Sequence, residues 1–150
     1  MPRRKTLVAI MIDKSTGHIT IEKVLIKPND LESDIASFKL GQTRDKQDMQ
    51  NGWTWLTEKN ISSDNKFFIF TFAFFDKKLK AIDITLQDKK FDLTQGWDSW
   101  SEEKELKTLK QLKTWLKKEL GTQESFEWGT ALAVYDAKGG ASVIKVKYKN

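Results

Sequence analysis

The sequence contains no cysteine, one histidine, three arginines and only two prolines in its 150 residues. Each shortage removes a class of chemistry. Without cysteine there is no disulfide, no thiol nucleophile and no thiolate zinc site. With His18 the lone imidazole, a nucleophile–base pair of the familiar kind needs a Ser or Thr beside that one residue, and no nucleophile elbow is present. His18 follows a turn glycine where a strand is expected to begin, the position of an ordinary surface residue. Arg3, Arg4 and Arg44 are few for the bidentate recognition of phosphate or guanine. Both prolines precede Asn29, and no Pro/Ser linker or low-complexity tract follows, so residues 1–150 read as one domain. No apolar run approaches the ~20 residues of a membrane span. Residues 7–12 are too short for a secretory core, and Asp13-Lys14 ends them without a small-residue cleavage site. A cytoplasmic location is expected, which agrees with the absence of cysteine.

What is present is aromatic and charged. Nine Phe and six Trp contribute to a 39% hydrophobic content, while charged residues make up 31%. A chain of this length buries roughly 70% of the surface its unfolded form exposes, and that much aromatic surface does not stay in water. The net charge of +5 is spread out, with +2, 0 and +3 in successive thirds. A nucleic-acid footprint is usually more concentrated.

Three segments read as strand, turn, strand. They are residues 7–12 and 18–26 around Asp13-Lys14-Ser15-Thr16-Gly17, residues 67–75 and 79–87 around Asp76-Lys77-Lys78, and residues 126–135 and 141–149 around Asp136-Ala137-Lys138-Gly139-Gly140. Asp tolerates turn conformations and bonds its own backbone, and Gly supplies positive φ, so these are hairpins with a mechanism. Their even spacing fits either a duplicated unit or ordinary hairpin chemistry. Residues 67–75 are apolar at almost every position, as in a central strand covered on both faces. In the next strand Ile82, Ile84 and Leu86 share one face; in the last, Ile144, Val146 and Tyr148 point inward and Lys145, Lys147 and Lys149 outward. A lysine row on a terminal strand suits a sheet edge.

Helices fall between the hairpins. Pro28-Asn29-Asp30 is a helix start with Leu31, Ile35 and Phe38 following on one face, and Asp45, Met49 and Trp53 point to a second short helix. The strongest helix runs from Ser101 to Leu120 and stops at Gly121. Glu102, Glu103 and Glu105 suit its positive end, and Lys117 and Lys118 its negative one. Leu106, Leu109, Leu112, Leu116 and Leu120 form its apolar arc. The expected architecture is α+β: a mostly antiparallel sheet from three hairpins, in the order ββ-α-ββ-α-ββ, with one long amphipathic helix packed on it.

Catalytic signals are thin, and an enzyme is not expected. Glu102 with Glu105 is the nearest thing to a paired-carboxylate site, but dipole compensation accounts for both. The Asp13 loop lacks most of the oxygen ligands of a calcium loop, and Gly139-Gly140 precedes no helix and no Gly-Lys-Ser/Thr, so neither a metal nor a cofactor is expected. Two surface features remain. Lys104, Lys107 and Lys118 on the long helix, with Lys145 and Lys147 on the last strand, form a candidate nucleic-acid surface; interleaved glutamates and scarce arginine favour a solvated face instead. Trp53 and Trp55 follow Asn51-Gly52, and Trp97 and Trp100 flank Asp98-Ser99. Tryptophans beside loops either plug the ends of a small sheet or anchor a partner.

The last third of the chain carries a further pattern in Gly96-Trp97-Asp98-Ser99-Trp100-Ser101-Glu102-Glu103-Lys104, Phe126-Glu127-Trp128-Gly129 and Tyr135-Asp136-Ala137-Lys138-Gly139-Gly140. It resembles small bacterial proteins, some of them immunity or accessory proteins of toxin systems. The resemblance covers about 55 residues of Trp, Gly and hairpin signals. It implies a bacterial cytoplasmic protein that binds and neutralises one partner protein, a toxin or effector. Trp53, Trp55, Trp97 and Trp100 are the candidate anchors for that partner, and nucleic acid is the alternative.

Overall fold

The computed structural model describes residues 10–63, 65–87, 101–136 and 141–149. Three short strands, β1 (Ile10–Ile12), β2 (Ile19–Ile21) and β3 (Val24–Ile26), form an antiparallel meander. A short helix α1 (Glu32–Ser37) follows, and then β4 (Thr43–Asp48), β5 (Trp53–Ser63), β6 (Lys66–Phe75) and β7 (Lys78–Gln87). The long helix α2 (Glu102–Leu120) leads to β8 (Ser125–Phe126), β9 (Gly129–Asp136) and β10 (Ala141–Tyr148). The last seven strands make one antiparallel sheet in the order β4-β5-β6-β7-β10-β9-β8. The fold is α+β, as the hairpin pattern implies.

Turn chemistry places several elements where the sequence puts them. Asp13 Oδ1 accepts the Ser15 N–H and the Asp13 carbonyl accepts the Gly17 N–H, closing the β1–β2 loop. Asp76 and Lys77 both take positive φ, at 53° and 67°, giving the two-residue turn whose twist matches a hairpin. Ser101 caps α2 by accepting the Lys104 N–H at 3.1 Å, and Gly121 ends the helix at φ 78°.

Other expectations are corrected. Residues 18–26 are not one strand but β2 and β3, reversed at Glu22. The Asp45–Met49–Trp53 spacing yields no helix; residues 43–48 form edge strand β4, and β5 starts at Trp53. All six β4 side chains are exposed, so its polar sequence has no buried face to advertise a strand. Leu31 and Phe38 at the ends of α1 are exposed, with only Ile35 of the three buried. On α2 the buried seam is Leu112, Leu116 and Leu120, while Leu106 is exposed. Strand β10 is not an edge. It lies between β7 and β9, so the Lys145/Lys147 row belongs to a sheet face.

Among the described residues, both helices lie on one side of the large sheet. Strand β6 turns Phe68, Phe70, Phe72 and Phe74 to that side, and they meet Ile82, Ile84, Leu86, Ile144 and Val146 as anticipated for the last two strands. Helix α2 packs across β7, β10 and β9, with Trp115 edge-on to Phe68 at 5.6 Å. Glu105 fixes the start of α2 to β10: its carboxylate accepts the Ser142 N–H at 2.9 Å and its carbonyl the Ser142 hydroxyl at 2.6 Å. The isoleucines of the small sheet join the same core.

The small sheet is clasped to the end of β8–β10 by aromatic packing. Trp128 stacks on Phe126 at 4.8 Å and 6°, and its indole N–H donates to the Lys14 carbonyl at 2.8 Å. Its ring lies so close to Gly17 that a Cβ there would meet it at 2.4 Å. Tyr148 completes the clasp by donating its hydroxyl to the Gly17 carbonyl at 2.7 Å. Burial, foremost, and then the Asp30 charge push the Tyr148 hydroxyl well above the usual tyrosine range. Because the folded form holds that proton more tightly than the unfolded chain, this stabilisation is complete below pH about 10 and lost as pH rises above it. Tyr148→Phe should cost about 1 kcal/mol at neutral pH by orphaning the Gly17 carbonyl, and should flatten the alkaline fall in melting temperature. Equal alkaline slopes for the two proteins would remove Tyr148 from the transition.

Candidate functional site

The alternation of β5 is inverted relative to hydropathy. Its buried positions are Thr54, Leu56, Glu58, Asn60, Ile61 and Ser63, whereas Trp53, Trp55 and Thr57 point to the side on which no described helix lies. Phe67, Ile69, Thr71, Ala73 and Phe75 of β6 share that open side, so β6 is central but not covered on both faces. Register then sets the rows of the open face. Trp55, Ala73, Ala81, Lys147 and Thr130 stand abreast on successive strands, and so do Thr57, Thr71, Asp83, Lys145 and Leu132.

These rows make a trough with unlike walls. Trp53 packs on Trp55 at 5.6 Å and on Phe75 at 5.2 Å. Phe75 and Met49 beside this cluster are 42% and 43% exposed, so apolar surface reaches solvent at this corner of the sheet. The floor is small: Ala73, Ala81, Thr57 and Thr71, the two threonine hydroxyls 3.2 Å apart. Lys145 and Lys147 form the far wall. Lys145 Nζ lies 3.6 Å from Asp83, and Lys147 has no ion pair among the described residues. The shallow depression between the walls measures about 460 Å³ and includes Gln47 of β4 at its rim. Burial pushes the Asp83 carboxyl above its usual range, and Lys145 and Lys147 act against that push.

The candidate residues thus divide in an unforeseen way. Trp53 and Trp55, named for a protein partner, share one face with Lys145 and Lys147, named for nucleic acid. Lys104, Lys107 and Lys118 lie on the solvent side of α2, across the sheet from that face, and do not join it. Trp97 and Trp100 fall outside the described residues. Sequence reasoning missed the residues that the sheet sets beside Trp53 and Trp55: Gln47, Thr57, Thr71, Ala73, Ala81 and Asp83. The one signal for them is the short Trp53-Thr54-Trp55 alternation, read as a strand with the tryptophans facing out.

The fold has a solved counterpart. A chain in the structure of Rhs1-CT in complex with cognate immunity protein RhsI1 matches with a TM-score of 0.54 and 14% sequence identity. The match covers 94% of this chain and 88% of that one. At this identity the likeness is one of fold. No family model matches the chain, and no curated protein does. Among the described residues no helix is long and apolar enough to cross a membrane.

Buried carboxylates lie away from the trough and have structural partners. Glu58 is fully buried on the covered face; its carboxylate accepts Arg44 Nε at 3.2 and 3.3 Å and the Gly41 N–H at 3.0 Å. Glu32 pairs with Lys46, holding β4 to α1, and its hydrogen bond, then its charge, raise the Lys46 ammonium pKa. Glu102, the other member of the candidate acid pair, lies 3.5 Å from the Tyr135 hydroxyl. Arg44→Ala leaves the Glu58 charge buried without its counterion and should cost about 2–3 kcal/mol, the low end for such pairs because Arg44 is partly solvated. Adding Glu58→Leu should restore part of it. If the double variant unfolds in urea no later than the single one, the pair is not what holds the turn.

Proposed function

We propose that this chain is a protein-binding module of the immunity type, which neutralises one toxin or effector by docking it on the open face of the large sheet. The observation that carries the reading is the Trp53–Trp55–Phe75 cluster standing half-exposed over a floor of small residues, on a face that no helix covers among the described residues. A strand in a one-sided antiparallel sheet ordinarily turns its polar residues outward. Here Glu58 is buried against Arg44 and the Gly41 N–H, which accounts for the inward carboxylate, while the outward tryptophans have no such structural account. Aromatic side chains at the centre of a patch with a polar rim are the usual energetic centre of a protein interface. The fold likeness to a chain of a toxin–immunity complex and the sequence resemblance to immunity-type proteins both favour this class. A cytoplasmic site of action fits the composition.

The test is capture from the native cell, with and without nuclease treatment, followed by mass spectrometry. A single protein retained in both samples, whose expression alone arrests growth and whose effect this chain relieves, is the expected result. A catch that disappears with nuclease would replace this reading with nucleic-acid binding. That alternative has its own support: lysines beside outward tryptophans on a sheet are also the parts of a single-strand binding surface.

A further inference from the structure

The trough is polar in a directional way, and this says something about what fills it. From Trp55 to Lys147 the row crosses β6 and β7, three strand spacings of ~4.8 Å, or about 14 Å. That is the reach of ~4 residues of extended chain laid across the strands. The floor beneath such a segment is Ala73 and Ala81, which leaves room for a backbone. At one end it meets an aromatic wall, at the other two ammonium groups. Those groups are unequal: Lys145 shares its charge with Asp83, whereas Lys147 is exposed and unpaired among the described residues.

We infer that the open face receives an acidic polypeptide segment, one that sets a carboxylate against Lys147 and Lys145 and an apolar neighbour against Trp53 and Trp55. This rests on the proposed protein-docking role and deepens it. Charge complementarity selects the occupant: Lys145 and Lys147 against Asp83 leave the floor with one net positive charge, enough for a single carboxylate. Asp83 argues against a nucleic-acid strand. It stands beside the lysine wall, 3.6 Å from Lys145, where phosphates drawn to those lysines would pass, and an ionised carboxylate only accepts hydrogen bonds. A phosphodiester backbone offers it no donor, while a peptide backbone offers N–H groups. It follows that a toxin held here is gripped by an acidic part of its surface. A basic phosphate-binding groove on such a toxin would lie outside the contact.

The inference is tested on the full-length ¹⁵N-labelled protein, reading the indole N–H signals of Trp53 and Trp55, each assigned from its Trp→Phe variant. The probes are blocked peptides alternating Glu with Leu, the same peptides with Lys for Glu, and oligothymidine. The Glu/Leu peptide is expected to move both signals and the Lys/Leu peptide neither. Lys147→Glu should abolish the shift, and Asp83→Asn should tighten binding about two- to fivefold at low salt, the scale of an exposed charge pair. Both are surface substitutions, and a melting curve for each verifies folding. The inference is overturned if the Lys/Leu peptide or oligothymidine moves these signals more strongly, if no probe moves them, or if Asp83→Asn weakens binding. Its fate is separable from that of the docking face. A captured partner lost with Trp55→Ala but indifferent to Lys147→Glu leaves the face and removes its acidic occupant; a partner retained by both variants removes the face.

Discussion

Trp55→Ala is expected to weaken partner binding by roughly thirty- to several hundredfold, the ~2–4 kcal/mol typical of a central aromatic anchor. The same change should lower the melting temperature by only a few degrees. The two effects separate because of where the side chain sits. Trp55 lies in the row of Ala73 and Ala81 on the helix-free face, half-exposed, with Trp53 its aromatic neighbour at 5.6 Å. Truncation removes that contact but opens no cavity in the core, which lies on the opposite face. Buried in a complex, the indole would contribute the apolar area it still exposes and the exclusion of water from Lys145 and Lys147. Trp53→Ala should act in the same direction but cost more stability, since Trp53 also supports Phe75 at 5.2 Å. The measurement is a pair of numbers for each variant: affinity for the captured partner, and melting temperature alone. A drop in stability of several kcal/mol with affinity unchanged per folded molecule would return both tryptophans to a structural role.

The parts of this molecule that were legible in the sequence are those fixed by local chemistry. Ser101 and Gly121 bound α2 because a cap and a positive-φ stop are properties of single residues. The Asp13 and Asp76 turns and the inward sets of β7 and β10 follow for the same reason: turn residues and period-two alternation need no partner to be recognised. The candidate site was only half legible because its logic is inverted. Hydropathy assigns Trp to the interior and Glu to the surface, so residues 53–60 read against their true orientation, and Asp45, Met49 and Trp53 align as a helix instead. Phe67–Phe75 carries apolar side chains on both faces, which hides that one of them is open. The meeting of Trp55 with Lys147 depends on β7 pairing with β10, a contact between hairpins separated by α2. Hairpin signals fix neighbours within a pair and leave the order of pairs undetermined. The likeness to immunity-type proteins pointed to a protein partner, but Phe126-Glu127-Trp128-Gly129, part of that likeness, serves the fold.

That motif carries the largest expected stability effect. Gly129→Ala should destabilise the protein by about 3–5 kcal/mol, combining left-handed backbone strain with overpacking of a close approach. Gly129 begins β9 directly after the two-residue turn Glu127-Trp128, paired with Phe126 on one side and Tyr148 on the other. Its φ of 153° is one that L side chains rarely adopt, and a Cβ there would stand 1.9 Å from the Lys147 carbonyl oxygen. That oxygen belongs to the backbone of a central strand, so it cannot swing aside as a side-chain tip would. Relief requires β9 and β10 to part where Lys149 N–H donates to the Trp128 carbonyl at 2.8 Å, and parting them loosens the Trp128–Tyr148 clasp on Gly17. The damage should therefore extend to the small sheet, with amide exchange of β1 and β2 accelerating together with that of β9 and β10. It should also reach the candidate site, because Lys147 forms part of the trough wall. Urea unfolding gives the magnitude and residue-resolved exchange gives the spread. A loss confined to β8 and β9, with Ile12 and Ile19 still protected, would mean that the small sheet holds to the core through its isoleucines without the clasp.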